Sequence, residues 1–154
     1  MSLLTLEEIE KAEIKSIGSM KVKGNIDFAN LPNQVFDLYE WLKNDELRSI
    51  KAIPTYIYYV MLKKALQESY RVLMCGGLAV YIIGKESVFY KFSTREVLYR
   101  VKCDLIFKDI AISCGFVVEE KIDVQLDKKN RNARPRSLDS YYETVFLLRK
   151  QSNS

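Results

Sequence analysis

Glu68-Ser69-Tyr70-Arg71-Val72-Leu73-Met74-Cys75-Gly76-Gly77 runs directly into Leu78-Ala79-Val80-Tyr81-Ile82-Ile83-Gly84. This reads as the end of a long helix, a two-glycine turn and a short apolar strand. A glycine just past a helix can take the left-handed conformation that satisfies orphan carbonyls, and a second glycine lets the strand begin at once. A strand apolar on both faces belongs in a covered sheet built from helix–strand alternation. The expectation is therefore an α/β fold of the nucleotide-binding type.

Working outward, Thr5-Leu6-Glu7-Glu8 has capping-box spacing and predicts a helix from Leu6 to Lys15, ending before Gly18. Ser19 to Asn30 lacks periodicity and reads as a loop. A second helix starts near Pro32, with Val35, Phe36, Leu38, Tyr39 and Leu42 on its apolar face. Pro54 opens the longest helix, Thr55 to Met74, in which Tyr56, Tyr59, Leu62, Leu66, Tyr70 and Leu73 recur at helical steps. The strand Leu78–Ile83 follows, then a loop over Lys85–Phe92. Ser93-Thr94-Arg95-Glu96 again has capping-box spacing and predicts a heavily buried helix reaching Ser113, stopped by Gly115. Phe116–Leu126 and Tyr141–Arg149 read as strands on either side of a basic loop. The whole is one domain over 1–154, with a helical segment over 1–53 and a β-α-β-β part over 54–150. Three strands make a thin mixed sheet whose first strand offers an unpaired apolar edge, so a partner or a dimer is expected to complete it.

Charge is unevenly distributed. The chain has 24 basic and 20 acidic residues among 154. Asp127 to Arg136 alone holds Lys128, Lys129, Arg131, Arg134 and Arg136 against one acid, so the remainder balances. Five cations in one loop can contact several phosphates, and the alternative is a solvated hairpin loop that aids solubility. No apolar run is long enough to span a membrane, and the N-terminal residues do not read as a signal peptide. Cys75, Cys103 and Cys114 are odd in number and lie in apolar context, which predicts buried, reduced thiols in a cytoplasmic protein. There is no histidine, which removes serine–histidine and cysteine–histidine pairs and most zinc sites, and no metal is expected.

Tyr70-Arg71-Val72-Leu73, Gly76-Gly77-Leu78, Ala111-Ile112-Ser113-Cys114-Gly115-Phe116 and Tyr142-Glu143-Thr144-Val145-Phe146-Leu147-Leu148-Arg149-Lys150 together resemble the C-terminal half of class I S-adenosylmethionine-dependent methyltransferases. Gly84 with its polar successor, and the opening through Ile17-Gly18-Ser19, resemble the DNA methylases that make N4-methylcytosine or N6-methyladenine. The likeness covers nearly the whole chain, more firmly after Thr55. It implies a Rossmann-like sheet in which the last strand runs antiparallel between the other two, with S-adenosylmethionine as cofactor and DNA as partner. The family's glycine-rich cofactor loop and catalytic Pro-Pro-Tyr are not among these residues: the six glycines form no G-x-G, and Pro32, Pro54 and Pro135 are isolated. Ile53-Pro54-Thr55-Tyr56 reads as a helix start rather than a decayed catalytic motif.

No catalytic residue is therefore assigned. The candidate nucleic-acid-binding residues are Lys128, Lys129, Arg131, Arg134 and Arg136. Gly84, Lys85, Phe89 and Tyr90 form a candidate ligand-facing strand end, because open α/β sheets bind at the carboxyl ends of their strands. Gly76 and Gly77 form a structural turn, since a phosphate cradle would precede a helix rather than follow one. The resemblance implies a chain that needs a separately supplied N-terminal half, or that is a piece of a longer enzyme, and that binds no cofactor and transfers no methyl alone. The alternative is a non-catalytic nucleic-acid-binding or assembly module, dimeric through its sheet edge.

Overall fold

The computed structural model describes residues 5–19, 31–126 and 142–151. The chain forms two compact units, Met1–Ala65 and Leu66–Ser154.

The first unit is helical. Helix α1 (Leu6–Lys15) is capped by Thr5: its hydroxyl accepts from the Glu8 amide while the Glu8 carboxylate accepts from the Thr5 amide. Helix α2 (Asn33–Asn44) follows Pro32, which has no amide hydrogen to leave unsatisfied. Its Val35, Leu38, Tyr39 and Leu42 are buried, as the helical spacing predicts, while Phe36 is exposed. A 3-10 turn (Ser49–Lys51) leads into helix α3 (Ala52–Val72), with Pro54 in the first turn, where a missing amide costs least. Tyr39 and Tyr56 meet edge-to-face at 6.2 Å.

The second unit begins with the end of α3 and carries strands β1 (Leu78–Gly84), β2 (Ser87–Tyr90) and β3 (Val97–Val101), helix α4 (Cys103–Ser113), and strands β4 (Phe116–Gln125) and β5 (Tyr142–Lys150). The main sheet has the order β1-β5-β4, with β5 antiparallel to both neighbours. Every ladder is thus antiparallel, although β1 and β4 point the same way. Strands β2 and β3 form a separate antiparallel hairpin.

That hairpin corrects the expected loop over Lys85–Phe92 and the expected helix from Ser93. Arg95 takes a left-handed φ of 65°, which a continuing helix does not allow. The Thr94 hydroxyl accepts from the Glu96 amide at 3.4 Å, so the Ser-Thr-Arg-Glu run builds a turn. Val97, Tyr99 and Val101 alternate in burial with Leu98 and Arg100, a period of two hidden in a run apolar enough to read as a buried helix. Helix α4 starts only at Cys103, and its Leu105 and Ile112 are exposed.

One face of the main sheet holds the core. Tyr81, Phe146, Phe116 and Leu148 lie on it, and Phe107 of α4 packs on Tyr81 at 5.4 Å and on Phe146 at 5.0 Å. Tyr70 of α3 meets Phe116 edge-to-face at 5.0 Å, and the Tyr81 hydroxyl donates to Ser69 Oγ at 2.6 Å. The opposite face is apolar but open. Val80 is 58% exposed and Ile82 62%, with Leu78, Ile122 and Val124 also exposed. Strand β1 is therefore not covered on both sides as its composition suggests. Among the described residues no strand pairs with its outer edge.

The end of α3 is tied to the last strand. Lys150 Nζ donates to the carbonyls of Tyr70 (2.7 Å) and Leu73 (2.9 Å) and sits 4.8 Å from the Tyr70 ring centroid. The Gly76 amide donates to the Lys150 carbonyl, and the Lys150 amide returns a bond to Gly77. Arg149 donates to the Gly76 carbonyl and to both oxygens of Glu119. Gly76 and Gly77 thus lie between α3 and β1 with their backbones bonded to the end of β5.

Two glycines test this joint differently. At Gly115 (φ 96°) an added Cβ meets the Tyr70 ring at 3.1 Å, whereas at Gly76 (φ 74°) it meets open space. Gly76→Ala should cost the backbone term alone, about 1–2 kcal/mol. Gly115→Ala should cost clearly more, because Tyr70 must also move. Urea unfolding of both variants checks the order, and equal losses would contradict this packing.

Candidate strand-end site

Strand β1 finishes at Gly84, β4 finishes at Gln125 and β5 starts at Tyr142, all at one end of the sheet. The candidate residue Lys85 is half-buried there. Its Nζ lies 2.6 Å from Asp123 Oδ2 and 5.2 Å from the Tyr142 ring centroid. Its amide donates to the Tyr142 carbonyl, and its carbonyl accepts from the Asp104 amide at 3.4 Å. Thr144 donates its hydroxyl to Asp123 Oδ1 at 2.8 Å. The Lys85 and Thr144 hydrogen bonds hold the Asp123 carboxyl below its ordinary value.

Two further carboxylates lie alongside, and the sequence reading passed over both. The Glu86 side chain is 0% exposed, with Lys102 Nζ at 2.7 Å and Arg100 Nη1 at 3.3 Å. The Asp104 side chain, in the first turn of α4, is 3% exposed and pairs through Oδ2 with Lys121 Nζ at 2.6 Å. Its other oxygen, Oδ1, is buried with no hydrogen-bond partner. Burying a carboxylate is costly unless a cation and donors compensate it, so these lysines and arginines are what permit carboxylates at this position. No short motif announces the pairing, because Asp104 and Lys121 lie on different elements.

The other candidates are distributed differently. Phe89 and Tyr90 belong to β2 and are half-buried, not loop residues. Tyr90 contacts Phe92 edge-to-face at 5.5 Å and carries the Arg95 guanidinium 5.3 Å from its ring centroid. Lys128, Lys129, Arg131, Arg134 and Arg136 lie outside the described residues. Cys75 is exposed, against the expectation that all three thiols be buried, because it sits in the turn itself. Cys103 is half-buried, and burial pushes its thiol up, away from the reactive thiolate. Among the described residues no cluster of three or more His, Cys, Asp or Glu could hold a metal, and no helix is long and apolar enough to cross a membrane.

Several of the groups expected to face a ligand are already engaged within the described residues. The Gly76 and Gly77 amides are both spent, on the Lys150 and Met74 carbonyls. Each of the three strand-end carboxylates is already matched by a cation.

These residues define a class of mixed helices and small antiparallel sheets, with a charge-dense strand end beside an open apolar face. No protein-family model matches the sequence, and no curated protein matches it. Among solved structures the chain is similar to a Thermus thermophilus protein described as a "Putative DNA Modification Methylase" and complexed with S-adenosyl-L-methionine. The identity is 20% and the TM-score 0.47, over 66% of this chain. The match spans 41% of that protein's chain.

Two substitutions probe the strand end. Lys121→Met strands the buried Asp104 carboxylate and should cost about 2–3 kcal/mol, less than for a fully buried pair because the lysine end reaches water. Adding Asp104→Leu should recover much of that loss, and a double variant as unstable as the single would contradict the pairing. Thr144→Val should cost about 1 kcal/mol at neutral pH. Asp123 is depressed in the folded state, so its contribution is present above the unfolded value near pH 4 and is lost as pH falls through the folded value. The stability gap between wild type and Thr144→Val should therefore close in acid, which denaturant titration across pH 2–7 measures.

Proposed function

We propose that this chain is the C-terminal part of an S-adenosylmethionine-dependent DNA methyltransferase of the amino-group-modifying type, carrying part of its DNA-facing surface. The observation that carries the reading is the strand order. The final strand β5 lies between β1 and β4 and runs antiparallel to both. The resemblance of Gly76-Gly77-Leu78, Gly115-Phe116 and Tyr142–Lys150 to class I methyltransferases implies a sheet that ends in this way. The outer edge of β1, unpaired among the described residues, and the open apolar face are consistent with a sheet that continues into an N-terminal half. That half would supply the glycine loop for the cofactor and the Pro-Pro-Tyr that polarises the target amino group, whether in the same polypeptide or another. Methyl transfer requires cofactor and base to be aligned within one site, so the chain by itself transfers no methyl.

DNA contact falls to the sheet end at Gly84. The basic residues from Lys128 to Arg136 are joined to the sheet at Gln125 and Tyr142, which pair at that end. A second reading, a non-catalytic nucleic-acid-binding module that dimerises through β1, draws on the same charge concentration and free edge.

Calorimetric titration with S-adenosylmethionine, paired with DNA-binding anisotropy over a salt series, tests the proposal. DNA affinity should fall steeply with salt, and replacing Arg131, Arg134 and Arg136 by alanine should lower the salt slope by roughly 3. Cofactor binding should be absent alone and should appear when an N-terminal methyltransferase half is co-expressed. DNA binding without rescued cofactor binding would favour the module. Methyl transfer to DNA by the purified chain alone would overturn both readings.

A further inference from the structure

The β2–β3 hairpin carries chemistry that neither the basic segment nor the charged strand end uses. Its tip, Lys91 to Glu96, is closed by two backbone bonds of 2.8 Å, from the Lys91 amide to the Glu96 carbonyl and from the Arg95 amide to the Lys91 carbonyl. Arg95 is the one non-glycine residue with positive φ among the described residues. A left-handed arginine is a strained choice where glycine or asparagine would serve, and such outliers persist where the surroundings hold them for a purpose. The Arg95 guanidinium lies over the Tyr90 ring. A bulge sits between Phe89 and Tyr90, leaving Leu98 without a register partner and re-aiming the strand ends. Phe92 is 75% exposed, although its ring meets Tyr90 edge-on. Residues 85–102 hold five cations against two carboxylates, and Lys91, Arg95 and Arg100 are exposed. Of the two carboxylates, Glu86 is buried beneath Lys102 and Arg100.

An exposed aromatic ring on a tip closed by backbone hydrogen bonds, flanked by cations, has the chemistry of a nucleic-acid stacking platform. We propose that the β2–β3 hairpin is a second polynucleotide contact, in which Phe92 stacks on an unpaired base while Lys91 and Arg95 take the adjoining phosphates. The polynucleotide partner rests on the reading above, whereas the residues and the stacking mode are new. Stacking suits a base outside a duplex, because a paired base already has both faces covered. The hairpin follows Lys85, at the sheet end where β1 finishes.

The test is fluorescence anisotropy of the full chain with three probes: a single-stranded DNA oligomer, an RNA of the same sequence, and the blunt DNA duplex. Phe92→Ala should weaken single-strand binding roughly 5- to 100-fold, the size of one base–aromatic stack, with the salt slope unchanged. Phe92→Trp should restore it. The loss should be similar on DNA and RNA, which offer the same base faces, and much smaller on the duplex. Lys91→Ala with Arg95→Ala should instead lower the salt slope by roughly 2. Because these side chains are exposed, an unchanged circular dichroism spectrum and melting point confirm that each variant folds. If the variants leave affinity and slope intact while alanines at Arg131, Arg134 and Arg136 abolish binding, the hairpin proposal fails and the nucleic-acid reading stands. Equal loss on duplex and single strand overturns the stacking mode. If the unaltered chain binds none of the three probes at low salt, both fall together.

Discussion

The second unit is held shut by the ammonium of Lys150. A helix ends with four carbonyls that have no intrahelical partner, and a cation placed among them gains from both the hydrogen bonds and the dipole. Lys150 takes the Tyr70 carbonyl in the last turn of α3 at 2.7 Å and that of Leu73, just past its end, at 2.9 Å, and lies against the Tyr70 ring in the same pose. Because Lys150 is also the last residue of β5, one side chain joins the first and the last elements of the unit across 77–80 residues of sequence. The Gly76-Gly77 turn then fits between them, its amide and carbonyl exchanged with the Lys150 backbone. Removing the cation would leave helix carbonyls unsatisfied beside an apolar ring, so the joint is more sensitive than its surface position suggests.

A second constraint operates at the opposite end of the sheet, where polar groups rather than rings fill the space under the hairpin. Glu86, Asp104 and Asp123 are each matched by a lysine distant in sequence, Lys102, Lys121 and Lys85. Apolar residues there would stabilise the unit at least as well, since buried pairs roughly break even against packing. The Asp104–Lys121 pair ties α4 to β4, and the Glu86 pairs tie the start of the hairpin to Arg100 and Lys102 at its end. The unpartnered Oδ1 of Asp104 marks the limit of that network.

Sequence reading recovered what local chemistry controls. The Thr5 capping box, the helical steps through Val35, Leu38 and Leu42, the proline in the first turn of α3, and the glycines at 76 and 115 are short-range signals that appeared where expected. The position of β5 between β1 and β4 was legible only through family likeness, because no local pattern encodes strand order. The hairpin was not legible. Ser93 and Glu96 have the spacing of a helix cap, and only the left-handed Arg95 shows that the run turns back on itself. The strand-end ion pairs escaped for a different reason: Lys121 and Asp104 become neighbours only when α4 is laid on the sheet, so a charge on an alternating strand read as solvated. The apolar character of β1 was right in composition and misleading in consequence, since Val80 and Ile82 face outward.

That outward face leads to the last step. Both helices that touch the sheet in this unit, the end of α3 and α4, pack on the side of Tyr81 and Phe146. The other side presents Val80 beside Leu147, and Val145 between Ile82 and Ile122, an apolar row across all three strands. At about 25 cal/mol for each Å² withdrawn from water, a cover over several such side chains is worth several kcal/mol. Edge strands that meet only water are ordinarily guarded by a lysine, a proline or a bulge, and β1 has none of these between Leu78 and Gly84. Edge and face thus ask for a strand beside β1 and an apolar layer over its open side. Edge-to-edge pairing of two copies would supply the strand and leave the face open, so the edge and the face are separate demands on whatever lies beside β1.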